Sequence, residues 1–420
     1  MRQYINKKNN MKYNKCYKLI IIVLILLLIE KKKELYNVNN IERKVIQYIK
    51  QNLNYNLSKY EFKKEIPQII EYVKQLKNNS FNNNTFYFEI SKPRISFIAS
   101  VFNKEKYLIP FILSIQNQNL KEFEIIFVDD CSIDKSLEII INFKNKDKRI
   151  KLIKNKKNKG SLYARCSGAL YAKGDYIIFV DSDDIILKDG ILKSYNHLKT
   201  NNLEMVQFLS LFEGKNSTFI NKRNYIYSSI IYQPILSYIF YYDKKEGIEL
   251  NTALWDKLIK KNVVLKSINY IGPNYINKRI IIENDVIILF SLFRYCDSFQ
   301  YIYELGYYYF IKNNDSITNT RFDPKKANQI IYSIFCNIKF LYEKTGNSYF
   351  DKYFCVYKLE QGYNRYQYCL KYLNQNLGII KHILNEMLKS NYISLKKKLK
   401  IKNIKNKIFL NRNLNKSILL

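Results

Sequence analysis

The chain is expected to fold as an α/β protein, with a mostly parallel sheet flanked by helices. Three observations carry this. Strand-like and helix-like runs alternate from Pro93 to Leu211. The run Tyr176–Val180 is apolar throughout and made of β-branched and aromatic residues, as a buried strand is. Three of the strand-like runs end in hydroxyl or acidic residues, at Ser100, Asp130 and Asp181–Asp184. Regular βα alternation places helices on both faces of such a sheet, and ligands collect at the carboxyl ends of its strands.

The elements follow in order. Ile95 to Ser100 reads as a strand and Lys104 to Gln118 as a helix. Phe123 to Val128 is a second strand, closed by Asp129-Asp130-Cys131-Ser132. Ser136 to Phe143 is helical, Ile150 to Ile153 is a short strand and Ser161 to Ala172 a helix. The run Tyr176-Ile177-Ile178-Phe179-Val180 then leads into Asp181-Ser182-Asp183-Asp184. A helix from near Lys188 to Lys199 and a strand from Met205 to Leu211 complete the alternation.

The cluster at residues 181–184 is the chemical centre of the chain. Three carboxylates that close together do not all remain ionised without a cation beside them. Hard carboxylate oxygens suit Mg²⁺ or Mn²⁺, which such sites share with substrate phosphates. The competing reading is a polar turn that caps the next helix.

Composition narrows the remaining classes. The chain has 420 residues, enough for two or three domains. Its formal charge of +34 invites a nucleic-acid partner. None is expected, because the basic residues are dispersed and no nucleic-acid motif is present. Lys, Asn, Ile, Tyr and Phe are all abundant, and all have codons made of A and T. The seven cysteines, at 16, 131, 166, 296, 336, 355 and 369, show no CxxC pair. His197 and His382 are the two histidines, and neither lies beside a nucleophile, which weighs against histidine triads and His-rich zinc sites.

Four motifs in order resemble the nucleotide-sugar half of the family 2 glycosyltransferases. These are Ile98-Ala99-Ser100-Val101-Phe102-Asn103-Lys104-Glu105-Lys106-Tyr107-Leu108, Val128 through Asp134, Ala164-Arg165 with Gly168 and Gly174-Asp175-Tyr176-Ile177, and the aspartate cluster. Ser100 stands where proline is frequent and Cys166 where asparagine is. The resemblance implies a GT-A type sheet with a Rossmann-like nucleotide-binding half. It implies a metal-dependent, inverting transfer from a nucleotide sugar, UDP-linked, to a hydroxyl of a glycan, protein or lipid acceptor. The alternative is an inactive member that only binds nucleotide sugar or glycan.

A diphosphate leaving group develops negative charge, which Mn²⁺ or Mg²⁺ bridged to aspartate stabilises. Asp183 is expected to coordinate the metal, with Asp184 in support and Asp181 on the ribose or the metal. Asp130 carries over as the base-reading residue, accepting from uracil N3–H. Ser100 lies at the donor edge, Phe102 is expected to stack on the ring, and Arg165 to meet a phosphate oxygen or else to form a helix-surface salt bridge.

The second half extends the resemblance. Ala253 through Lys260 is similar to a Trp-x-Lys-Leu segment, Glu283-Asn284-Asp285-Val286 to a Glu-Asp pair, and Gly306 through Phe310 with Ser316-Ile317-Thr318 to a Tyr-rich strand and its end. Asp285 keeps the following valine and is the expected general base. Trp255 either lines the acceptor cleft or fills core.

The expected layout is a basic tail (1–18), an apolar signal-anchor segment (19–29), a helical stem and linker (30–92), the donor half (93–212), the acceptor half (213–320) and a basic helical C-terminal region (321–420). The apolar run follows six basic residues and precedes no small-residue cleavage site. It is expected to make a single-pass membrane protein with a short cytosolic N-terminus, lodged in the Golgi or endoplasmic reticulum if the source is eukaryotic.

Overall fold

The structure is a computed structural model. It describes residues 65–78, 92–213, 218–220, 230–232 and 253–310, and the helical positions 332–333, 336–337, 340–341 and 343–344. All belong to one compact unit, Tyr60–Tyr225 with Ile230–Leu420. A second unit, Met1–Lys59 with Ile226–Ser229, lies outside the described residues. So do the apolar run at 19–29, most of the expected stem, Ser316–Thr318 and most of 321–420.

The elements in chain order are α1 (Glu65–Lys77), β1 (Ile95–Val101), α2 (Glu105–Gln116), β2 (Phe123–Asp129), α3 (Ser136–Lys146), β3 (Ile150–Lys154), α4 (Ser161–Tyr171), β4 (Tyr176–Asp181), β5 (Ile185–Ile186) and α5 (Gly190–Thr200). There follow β6 (Met205–Glu213), β7 (Thr218–Ile220), β8 (Ile231–Tyr232), β9 (Lys257–Lys260), α6 (Lys261–Ile271), α7 (Pro273–Ile276), α8 (Asn284–Tyr295) and β10 (Ser298–Phe310). Among the described residues the strands form one ten-stranded sheet of order β3-β2-β1-β4-β9-β6-β10-β5, with β7 on β6 and β8 on β10.

The expected parallel arrangement holds for β3-β2-β1-β4 and for β6 against β10. The rest is antiparallel: β9 lies between β4 and β6, and β5, β7 and β8 pair at the periphery. The helix expected from Lys188 starts at Gly190, because Ile185–Ile186 first makes a short strand against Tyr307 and Tyr308.

Strand alternation decides which helices each residue meets. Phe97, Ala99, Ile125, Phe127, Ile178 and Val180 share one core with Leu108, Phe111 and Ile115 of α2, Ile140 of α3 and Ile191 and Leu198 of α5. The alternate set, Ile98, Val128 and Asp181, faces α4. On that face α8 is buried from Val286 through Phe293, so its first turn is held rigidly by core.

The expectation of a single-pass membrane protein is corrected here. Among the described residues no helix is long and apolar enough to cross a membrane.

Helix α4 packs tightly on the sheet at Gly168, where an added Cβ would lie 2.5 Å from Ile98 Cγ2 and 3.2 Å from Val128 Cγ2. Gly168→Ala is expected to destabilise the fold by about 1–3 kcal/mol through overpacking, despite the better helix propensity of alanine. The midpoint of guanidinium denaturation measures this, and an unchanged or raised midpoint contradicts the packing.

Candidate active site

The site lies along the carboxyl edge of β1, β2 and β4. Parallel register sets Ser100 beside both Val128 and Asp181, and Val101 beside Asp129. The loop after β1 is laced to the loop after β2. Asn103, at φ 54, donates its N–H to Ser132 Oγ (3.1 Å), and its side-chain oxygen accepts from Ile133 N–H (2.9 Å). Lys104 N–H donates to Ser136 Oγ at 2.7 Å, and Glu105 N–H to Asp134 Oδ2 at 3.0 Å. Burial, the largest single influence, raises the Asp134 carboxyl, but hydrogen bonds from the Ser136 side chain and from the backbone N–H groups of Glu105, Ser136 and Asp134 itself hold it below its usual range.

Asp130 is buried and accepts three hydrogen bonds: Asn155 Nδ2 (2.8 Å) and Lys159 N–H (2.8 Å) on Oδ1, and Gly160 N–H (2.7 Å) on Oδ2. It therefore sits at the N-terminus of α4, where the helix dipole favours an anion. Gly160 adopts φ +88, and a Cβ there would lie 2.8 Å from the Ile280 carbonyl oxygen. A carboxylate has about four acceptor positions, so one remains on Asp130 for a ligand. Asp130 N–H donates to the Val101 carbonyl at 2.8 Å, and the next residue, Phe102, is 42% exposed.

Arg165 occupies the junction of the two halves. Nη2 donates to Asp181 Oδ1 at 2.6 Å, and Nη1 contacts both Asp285 Oδ1 and Asn284 Oδ1. Its burial opposes the charge, but Asp285 and Asp181 outweigh that and keep the guanidinium firmly protonated. Both Nη atoms are thus committed within the protein, and Nε is buried without a hydrogen bond. The alternative salt bridge is present, buried in the interior instead of on a helix surface.

Asn284 also donates to Ser161 Oγ at 2.8 Å. Its neutral amide completes the shell where a glutamate would put a third carboxylate around one guanidinium. Glu283 stands before α8 in the left-handed region (φ 53), whereas Asp285 is in the first helical turn with its side chain 29% exposed.

The members of the aspartate cluster diverge. Asp184 points inward: Tyr307 Oη donates to Oδ2 at 2.9 Å and Phe310 N–H to Oδ1 at 3.0 Å. Burial first, then the charges of Asp183 and Asp181, push its carboxyl well above the usual range. Asp181 N–H donates to the same tyrosine oxygen at 3.2 Å, and Ser182 Oγ to the Ser100 carbonyl at 3.0 Å. Asp183 is half-buried and pairs with Lys104, whose Nζ sits 2.5 Å from Oδ2.

Among the described residues no three His, Cys, Asp or Glu side chains converge to hold a metal ion. The donor set nevertheless fits a cation shared with substrate phosphates, which needs only one or two carboxylates. Lys104 shows that the Asp183 oxygen already accepts a positive charge.

Trp255 and several residues given no role from sequence surround the site. Trp255 is buried, stacked on Tyr307 (4.5 Å) and Tyr309 (5.5 Å), which makes it core. Below it Lys257 Nζ, fully buried, donates to Asp256 Oδ1 (2.7 Å) and the Ala253 carbonyl (2.6 Å), and Gln207 donates to Asp256 Oδ2 (2.7 Å). Burial lowers the Lys257 ammonium, and Asp256 resists that. Lys104 and Tyr307 had no signal beyond membership of longer motifs. Their partners are 79 and 123 residues away in sequence.

Comparison with known proteins agrees with this arrangement. Residues 96–262 match the model of Glycosyl transferase family 2. An uncharacterised glycosyltransferase of Haemophilus influenzae is 47% identical over 116 residues, which are 28% of this chain and 46% of that protein. A cholesterol galactosyltransferase of Borreliella burgdorferi is 30% identical over 210 residues, 49% of this chain and 56% of the relative. The chain thus spans about half the length of these curated relatives. The crystal structure of Staphylococcus aureus TarS 1–349 in complex with UDP-GlcNAc superposes with a TM-score of 0.52 at 15% identity, over 70% of this chain and 83% of that one, a likeness of fold. The strand-end motifs at Ser100, Asp130 and Asp181–Asp184 lie on one sheet edge, all within the stretch 96–262 that matches the glycosyl transferase family 2 model.

Proposed function

We propose that this protein transfers a sugar from a nucleotide sugar, UDP-linked, to a hydroxyl group of a glycan, protein or lipid acceptor, with inversion and with Mn²⁺ or Mg²⁺ as cofactor. One observation carries the reading. Asp181 at the donor edge and Asp285 at the start of α8 contact the two ends of a single guanidinium. A donor carboxylate and an acceptor-side carboxylate are thereby fixed as neighbours, as in-line transfer requires.

In this reading the nucleotide lies over the β1 and β2 loops. Asp130 reads the base through its remaining acceptor position and Phe102 offers its exposed ring. Ser100 and Asp181 border the ribose and the sugar. The acceptor hydroxyl attacks the anomeric carbon as the bond to the diphosphate breaks. Its proton passes to the Asp285 carboxylate, on the oxygen that Arg165 leaves exposed. Asp183 would hold the divalent cation, with Asp184 behind it, and that cation would offset the charge developing on the leaving diphosphate. Asp184, bound to Tyr307 and Phe310, acts by fixing the turn that carries Asp183. The TarS complex was solved with UDP-GlcNAc, which makes UDP the first nucleotide to test.

Hydrolysis of a panel of nucleotide sugars with added Mn²⁺ tests the reading, and no turnover of any donor contradicts it. Asp285→Asn is expected to keep donor binding while transfer falls by roughly 10²–10⁴-fold, the usual worth of a positioned base. Near-normal turnover in that variant removes Asp285 from the role.

Asp183→Ala is expected to abolish transfer and metal-dependent UDP binding with the fold intact, since Asp183, unlike Asp184, is only half-buried. Calorimetry of UDP with Mn²⁺ is the measurement, and wild-type affinity in the variant refutes the metal assignment.

A further inference from the structure

Two cations border the donor site, and they differ in what they can do. Arg165 is buried, with both Nη atoms taken by Asp181, Asp285 and Asn284. Lys104 is different. Its backbone is pinned by the bond to Ser136 Oγ, and the residues on either side are pinned to Ser132 and Asp134. Its four-carbon stem crosses from there to the end of β4, where Nζ meets Asp183 Oδ2 at 2.5 Å. The side chains of the pair are 18% and 14% exposed. A lysine ammonium is a compact point charge on a flexible stem, so it can change partner while its backbone stays fixed.

The charges at this place set up a competition. A divalent cation arriving alone at Asp183 must displace an ammonium already paired there. A cation arriving with a diphosphate brings the displaced ammonium a new anionic partner. From this we propose that Lys104 is a diphosphate ligand that rests on Asp183 when no donor is bound and swings to a diphosphate oxygen when a divalent cation takes the carboxylate. The proposal rests on the donor-and-metal reading given above. Its consequence is linkage: nucleotide strengthens metal binding, and metal strengthens nucleotide binding by the same factor.

Isothermal titration of the full chain with MnCl₂ alone, with UDP alone and with UDP at saturating Mn²⁺ tests it, using wild type, Lys104→Met and Lys104→Arg. Wild type is expected to bind Mn²⁺ weakly alone and more tightly with UDP. Lys104→Met should bind Mn²⁺ alone about tenfold more tightly, having lost the competitor, and bind UDP with Mn²⁺ about tenfold more weakly, having lost a charge-assisted bond. Lys104→Arg keeps the charge and should stay near wild type in both titrations. Lys104→Gln replaces the methionine variant if circular dichroism shows the latter misfolded. Wild-type constants for Mn²⁺ and for UDP in the folded neutral variant overturn the role of Lys104 and leave the donor reading standing. If wild type itself binds no UDP, with or without Mn²⁺, the donor reading falls and this inference with it.

Discussion

The contact of Arg165 with Asp181 and Asp285 is the constraint on which the rest of the site depends. Each partner comes from a different element, α4, β4 and α8, and 120 residues separate Arg165 from Asp285. Charges this buried are held only when paired and hydrogen-bonded. Removing any one would leave the others uncompensated in a poorly solvated place. The triad thus ties the donor half to the acceptor half more specifically than apolar packing could, because its geometry is directional. Asn284 adds a neutral acceptor without adding charge. Gly160, pressed against the Ile280 backbone, lets the two halves approach at a second point.

Around that junction, polar groups are spent on holding loops in place as much as on ligands. Asp130 gathers the 155–160 loop by three hydrogen bonds. Asp184 fixes the turn after β4 to β10 through Tyr307 and the Phe310 amide. The irregular register of β10 between Tyr301 and Tyr307 re-aims this stretch toward the aspartates, a common use of bulges beside sites. Trp255 then closes the floor by stacking on Tyr307 and Tyr309. The acidic cluster accordingly divides its labour. Asp184 serves the fold, Asp183 pairs with Lys104, and Asp181 joins Arg165.

Buried ion pairs elsewhere belong to architecture. Arg149 and Asp147 form a fully buried pair at the start of β3, with Gln116 Nε2 also donating to Asp147 at 2.8 Å. Lys257 and Asp256 form another below Trp255. Each is multiply hydrogen-bonded, as desolvated charge must be. Cys166, next to Arg165, is equally inert, since burial pushes its thiol up to about 12.

The sequence by itself determined the nucleotide-binding half. Periodicity and strand composition are local properties, and they placed β1, β2, β3, β4 and β6 within a residue or two. Strand-end motifs brought Ser100, Asp130 and Asp181–Asp184 to one edge, because parallel register aligns the ends of neighbouring strands. Local patterns say nothing about which distant side chains become partners. Only the tertiary structure turned Asp184 inward, buried Arg165 between two carboxylates, set Lys104 on Asp183 and inserted β9 antiparallel between β4 and β6. Those outcomes depend on charge neutralisation and hydrogen-bond satisfaction across more than 70 residues of chain. Trp255 makes the point in one residue. Its motif was legible, but its burial against Tyr307 followed from the register of a strand 50 residues later.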